Sequence, residues 1–339
     1  MVVVGGVTRL TLSGLSITEW KPVIGVVPPL SEADWAAEFA KYRQIPEYRA
    51  IHPGMTLAEF KDIFYWEYAH RLLGRLIGVV FTAPFLWFLV RRRLPRRLVP
   101  SLCGILVLGF AQGGLGWYMV ESGLADRVEV SQYRLVAHLA LALAIYAAIL
   151  WTALGIVRHL APPLPNPPPL AGEGRVGAGW RRAAEAVFGL VAVTILAGGF
   201  VAGTRAGLTY NTFPLMDGRL VPVGYAQLHP FYLNWFENIA AVQFDHRVLA
   251  VAAAASVLLM WAVSLRVRLP NRARTALHML LLVAALQVAL GIATLLLVVP
   301  VPLAAAHQAG AVLLLTAAIY FRHTLRAPAP MDATAPAAI

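Results

Sequence analysis

Seven apolar runs, near residues 69–90, 98–120, 135–157, 183–203, 246–264, 275–298 and 303–321, dominate this chain of 339 residues. Each approaches or exceeds the roughly 20 residues that an α-helix needs to cross about 30 Å of hydrocarbon. Continuous apolar runs of that length read as helices, because a bilayer core offers no water to unpaired backbone groups. The sequence therefore predicts an all-α polytopic membrane protein. Composition agrees, with 59% hydrophobic residues against only 13% charged, far from the balance of a soluble domain. Residues 1–8, MVVVGGVT, are apolar but too short to span. They read as the end of a truncated first helix, without the basic region or cleavage site of a signal peptide.

A net charge of +11 raises nucleic acid as a partner, but the distribution of that charge argues otherwise. Arg91, Arg92, Arg93, Arg96 and Arg97 follow the first full span, and Arg158, Arg175, Arg181 and Arg182 the third. Arg266, Arg268, Arg272 and Arg274 follow the fifth, and Arg322 and Arg326 the last. Most of the 17 acidic residues lie instead in segments 9–68, 121–134 and 204–245. Alternation of this kind is the positive-inside signature. The Arg-rich loops are expected in the cytoplasm of a bacterial inner membrane, a better match than the mitochondrial one. Lipid, not nucleic acid, is the expected surroundings.

In that orientation His70, His138, His246 and His307 all fall in the outer leaflet, near the starts of inward-running helices. An ionisable side chain at membrane depth is costly and usually functional. One such histidine is commonly a hydrogen-bonded packing residue; four at matching depth point to metal or haem. Cys103 is the only cysteine, so no disulfide within the chain and no thiolate cluster can form. His52, His159, His229, His278 and His323 read as solvated or interfacial. Ser31 with Asp34, and Thr56 with Glu59, fit helix-start capping boxes, so short helices are expected over the site. Their aromatic residues, among them Trp20, Trp35, Phe39, Tyr42, Phe60, Phe64, Tyr65 and Trp66, suit a membrane-interface belt.

The Pro- and Gly-rich stretch 161–180 reads as a linker between halves 1–160 and 181–326, followed by a disordered tail, 327–339. The halves align. Thr8-Arg9 matches Thr204-Arg205, and the glycines Gly5 and Gly198 open both motifs. His70-Arg71 matches His246-Arg247, Gln112 to Gly116 matches Gln287 to Gly291, and His138 matches His307. Four matches in one order predict two pseudo-symmetric four-helix bundles in parallel orientation. A four-helix unit with an inward imidazole on each of two helices is a natural haem cage, and Gly113, Gly114 and Gly116 would let a helix approach a ring closely.

The halves differ three residues before the first histidine of each pair, where Glu67 becomes Gln243. A carboxylate on the same helix face as His70 could shuttle protons, and apolar surroundings would raise its pKa; the blander reading is an ion pair with Arg71. Arg9, Arg71, Arg205 and Arg247 could clamp haem propionates, or simply cap helix ends or meet headgroups. Asp245, next to His246, could orient an imidazole, although adjacent helix residues diverge.

The strings TRLTLSGLSITEWKPVIGVVPP, EYAHRLLGR, QYRLVAHLALA, GTRAGLTYNTFPLMDG, QFDHRVLA and AAHQAGA together resemble the haem A synthase family over almost the whole chain. The resemblance implies eight helices, the first truncated here, and oxidation of the C8 methyl group of haem O to the formyl group of haem A for cytochrome c oxidase. Successive hydroxylations, with loss of water from a gem-diol, are implied with it. By the same resemblance His246 and His307 ligate a resident haem b, His70 and His138 flank the haem O site, and Glu67 is the catalytic carboxylate. The missing cysteine pair is similar to the alphaproteobacterial and mitochondrial branch. Haem O synthase, cytochrome c oxidase assembly factors and a second copy of the chain are partners compatible with that role, while the electron donor cannot be read. Two other classes fit the histidines less well. A diheme b-type electron-transfer subunit would place haems towards both faces, and a duplicated transporter would use histidines as proton relays.

Overall fold

A computed structural model of the chain describes residues 1–21, 24–125, 127–160 and 175–326. The proline-rich part of the expected linker, 161–174, and the tail 327–339 lie outside the described residues. In chain order the helices are α1 (Val2–Leu10), α2 (Glu32–Tyr42), α3 (Pro46–Ile51), α4 (Leu57–Val90), α5 (Val99–Leu124), α6 (Gln132–Leu160), α7 (Arg175–Gly203), α8 (Ile239–Ser264), α9 (Asn271–Leu296) and α10 (Val301–Thr324). Seven of them, α4 to α10, are long and apolar enough to cross a membrane. The chain is a multi-pass helical membrane protein, with no strand among the described residues.

Helix boundaries follow local chemistry. Both expected capping boxes form: Ser31 and Asp34 close on each other at α2, and Thr56 and Glu59 at α4, satisfying backbone N–H groups that a helix start leaves open. With 34 residues and a rise of about 1.5 Å each, α4 extends well beyond a hydrocarbon core. Helix α7 starts at Arg175, inside the stretch read as linker. The last proline there is Pro169, so the chain is free to turn helical from Arg175, and Trp180 is buried.

The second half closes on itself, with α7 against α8, α8 against α9, α9 against α10, and α10 against α7. Its core, including Val191, Val257, Leu277, Leu280 and Leu315, is fully buried. In the first half α1 packs on α4, α4 on α5 and α5 on α6, and the halves join where α1 meets α10 and α6 meets α7 and α10. Helix α1, though short, is locked in: Gln308 Nε2 on α10 donates to the carbonyl of Val2 at 3.1 Å. The two halves differ in density. Only 6% of the most apolar window is buried within the protein in each of α4, α5 and α6, against 17% or 22% in α7 to α10.

The long connections 11–56 and 204–238 sit at one end of the bundle, the loop end. There the aromatic residues depart from the expected belt. Trp35, Tyr42, Phe60 and Phe64 are buried together with Leu15, Ile45, Val120 and Val130, and the Phe39 ring lies tilted against Phe60 with centroids 5.0 Å apart. The side chains are large and mutually reachable, so they form a core of their own; Trp20 and Trp66 remain exposed, as does Tyr65, which touches that core edge-on at Trp35 and Phe64.

Candidate functional site

Each of the four histidines lies against a glycine of the helix that precedes it in the bundle. A Cβ placed on Gly116 of α5 would come within 2.9 Å of His138 on α6, and one on Gly291 of α9 within 2.9 Å of His307 on α10. The same atom on Gly198 of α7 would be 3.0 Å from His246 on α8, and on Gly5 of α1 3.0 Å from His70 on α4. In all four cases the three nearest atoms belong to the imidazole. Three of the rings present Cε1 to their glycine, whereas His70 presents Nε2. The sequence had aligned Gly5 with Gly198 and Gly116 with Gly291, so the repeat is one of contacts as well as letters. His70 and His138 are within electrostatic reach of one another, as are His246 and His307.

The matched glutamines serve the same histidines. Gln112 Nε2 donates to the backbone carbonyl of His138 at 3.1 Å, and Gln287 Nε2 to that of His307 at 3.0 Å. Gln112 Nε2 also lies 3.2 Å from both ring nitrogens of His138. His246 Nδ1 is 3.1 Å from the Thr194 carbonyl; a carbonyl only accepts, so Nδ1 carries the proton and Nε2 keeps its lone pair. Asp245 takes no part in orienting that ring, since its Oδ1 accepts from the Tyr225 hydroxyl at 2.9 Å. The Thr194 carbonyl fills the role expected of Asp245.

Arg71 and Arg247 pin the incoming loops in equivalent ways. Arg71 donates to the carbonyls of Ile17 (2.8 Å) and Glu19 (3.1 Å), and Arg247 to those of Tyr210 (2.7 Å) and Thr212 (2.8 Å). Each also reaches back one helical turn, Arg71 to Glu67 Oε1 at 2.6 Å and Arg247 to Gln243 Oε1 at 2.9 Å. The other end of that side chain reads the loop. Glu67 Oε2 accepts from the Ser16 hydroxyl and the Ile17 N–H, both at 2.7 Å. Gln243 Nε2 donates to the Ala206 carbonyl at 2.7 Å. The exchange of carboxylate for amide therefore matches donors in one loop and an acceptor in the other. Glu67 is buried and forms the ion pair with Arg71 that the sequence had offered as the blander reading.

Arg9 and Arg205, from equivalent places in the two halves, share one carboxylate. Glu129, in the α5–α6 connection, is ion-paired with Arg9 and lies 2.5 Å from Arg205 Nη2. Arg9 also donates to the carbonyls of Ala202 (3.2 Å) and Gly203 (3.3 Å) at the end of α7. The corresponding α9–α10 connection is Leu297, Val298, Val299 and Pro300, so Glu129 has no counterpart. Neither Glu129 nor the three glycines Gly5, Gly198 and Gly291 had been singled out as site residues. The aligned repeat was the signal that could have found the glycines.

Of the remaining histidines, His229 and His278 are exposed, as expected, and the His159 side chain lies outside the described residues. His323 departs from the expectation: it is buried, edge-on to Trp151 with centroids 5.1 Å apart. His52 Nδ1 donates to the Tyr42 hydroxyl, 2.7 Å away. That hydroxyl also donates to Glu47 Oε1 at 3.0 Å. Burial pushes Glu47 up to about 7, with the Tyr42 bond opposing and the charge of Glu67 adding to the rise.

Among the described residues no three or more His, Cys, Asp or Glu side chains gather as a metal cluster. Two imidazoles per half suit instead a metal that brings its own equatorial ligands. A family model described as cytochrome oxidase assembly protein, COX15-CtaA, matches residues 1–319. The chain belongs to the haem A synthase family. Its curated relatives include the haem A synthases of Nitrosospira multiformis, 54% identical over 96% of this chain and 89% of that protein, and of Rhodospirillum centenum, 52% identical over 98% and 87%. That of Nitrosomonas eutropha is 53% identical over 94% and 88%. For a member of the haem A synthase family, the matched region takes in all four histidines, all four of their glycines and both members of the Glu67/Gln243 exchange.

Proposed function

We propose that this chain is a haem A synthase that oxidises the C8 methyl group of haem O to a formyl group in the first half, with a haem b held in the second. The observation that carries the reading is the duplicated glycine–histidine framework with Glu67 in one copy and Gln243 in the other.

The second-half residues fit a resident haem. His246 holds Nε2 free for a metal because its Nδ1–H donates to the Thr194 carbonyl. His307 Nδ1 and Arg247 Nε are buried without a protein partner, the one suited to a ligand or acceptor, the other to a carboxylate such as a propionate. Bound haem supplies the redox-active iron that oxidation of an unactivated methyl group requires. In the first half His70 and His138 wall the substrate site, and the sparse burial of α4 to α6 is in keeping with a half that must admit and release its porphyrin. Converting a methyl to a formyl group is a four-electron oxidation that releases protons. Glu67 would take one at Oε2 and pass it along the Ser16 hydroxyl, a role supported by the hydrogen bond between them. Arg71 holds the opposite oxygen and fixes the carboxylate. Arg9 and Arg205 form the rim with Glu129, where a propionate would compete for the same guanidinium groups.

No disulfide enters this chemistry, because Cys103 is the only cysteine. The distribution of the Arg-rich loops supports a site towards the outer face of a bacterial inner membrane. Co-expression with a source of haem O, followed by acid-acetone extraction and mass analysis, tests the reading. Haem A is expected; haem O carried through unchanged overturns it. Two haems b with no formyl product would instead indicate an electron relay, and a colourless protein a transporter.

A further inference from the structure

We infer that Gly5, Gly116, Gly198 and Gly291 are positioning residues, each setting the rotation of one imidazole from the neighbouring helix. At all four the nearest obstacle to a side chain is the ring itself, at 2.9–3.0 Å. By contrast Gly113 on α5 and Gly189 on α7 have nothing within 4 Å, so glycine there is not required by contact. Real Cβ atoms essentially never approach as closely as the 2.9 Å at Gly116 and Gly291, so something must yield there, and at the 3.0 Å of Gly5 and Gly198 the ring must give by a few tenths of an ångström. A helix backbone is stiff, whereas an imidazole turns about two side-chain bonds. An added methyl group would therefore rotate the ring before it separated the helices. The direction in which Nε2 points, and with it the geometry of any axial bond, is set by the absence of a side chain one helix away.

The pattern also explains why the glycines recur in register with the histidines. The first helix of each pair (α1, α5, α7, α9) supplies the glycine and the span packed against it (α4, α6, α8, α10) supplies the imidazole. Each glycine has a distinct partner, so this is a set of four one-to-one contacts and not a general helix-packing stripe.

The spectroscopic half of the test rests on the haem reading above; the stability half does not. Full-length Gly198→Ala and Gly291→Ala proteins, purified in detergent, would be compared with Gly189→Ala. A shifted low-spin ferric EPR signal, or at least a twofold loss of haem per chain, is expected in the first two and not in the third. Wild-type signals and haem content in both would overturn the inference. A double-mutant cycle works even for a variant that binds no haem. The change in thermal midpoint caused by Gly198→Ala should become more favourable when His246 is also replaced by alanine, because the obstacle has gone. The same penalty in both backgrounds would assign Gly198 to helix packing and sink the proposal. A wild-type protein without pigment would refute the haem reading while leaving the cycle interpretable.

Discussion

Glu67 and Gln243 show how one side-chain atom decides what a duplicated position can do. Both accept from an arginine one turn along, and only the far end differs: the Ser16 hydroxyl and the Ile17 N–H donate to Glu67, whereas Gln243 donates to one carbonyl. Glu67→Gln should keep second-half haem but lower haem A output at least tenfold, read by pigment extraction; undiminished output would remove the proton role. It should also lose stability, because Arg71 would face an amide in a buried site, where breaking an ion pair costs about 3–5 kcal/mol. The reciprocal change separates the two effects. Gln243→Glu puts an acceptor against the Ala206 carbonyl and should cost about 1–3 kcal/mol by thermal unfolding, with no gain of oxidation in the second half. A neutral effect would show that the loop can turn away.

At the scale of elements, the loop-end helices α2 and α3 carry a titratable core. Glu47 is raised by burial, so the folded chain holds its proton where the unfolded chain has lost it. Its contribution to stability is present below the ordinary carboxylate range and disappears as pH rises to about 7. The thermal midpoint should therefore fall across that window, and Glu47→Gln, which keeps the acceptor for Tyr42, should flatten the fall. An unchanged slope in the variant would assign it to other groups. Elements were largely legible in the sequence: hydropathy located seven spans, and two capping boxes marked α2 and α4. The start of α7 was not, since composition averaged prolines with a helix-compatible tail. Nor was the burial of Trp35, Tyr42, Phe60 and Phe64, because aromatic content alone does not separate an interface belt from a packed cap. The histidines were found by depth and repetition. Their glycines and Glu129 were not, as contacts between helices distant in sequence leave no local signature.

Across the whole molecule, the halves meet through α1 on α10, α6 on α7, and the carboxylate that Arg9 and Arg205 share. Glu129→Gln should loosen both arginines together, at a cost on the order of 1–3 kcal/mol for a partly buried pair. Hydrogen exchange should then rise at the end of α1 and the end of α7 in concert. A rise confined to one of them would show that the contacts are independent. The single carboxylate also ties the halves together unequally: the first-half connection supplies the anion that Arg9 and Arg205 both contact, whereas the second-half connection, Leu297-Val298-Val299-Pro300, supplies none. Arg205 therefore draws its charge partner from across the seam and not from its own α9–α10 turn.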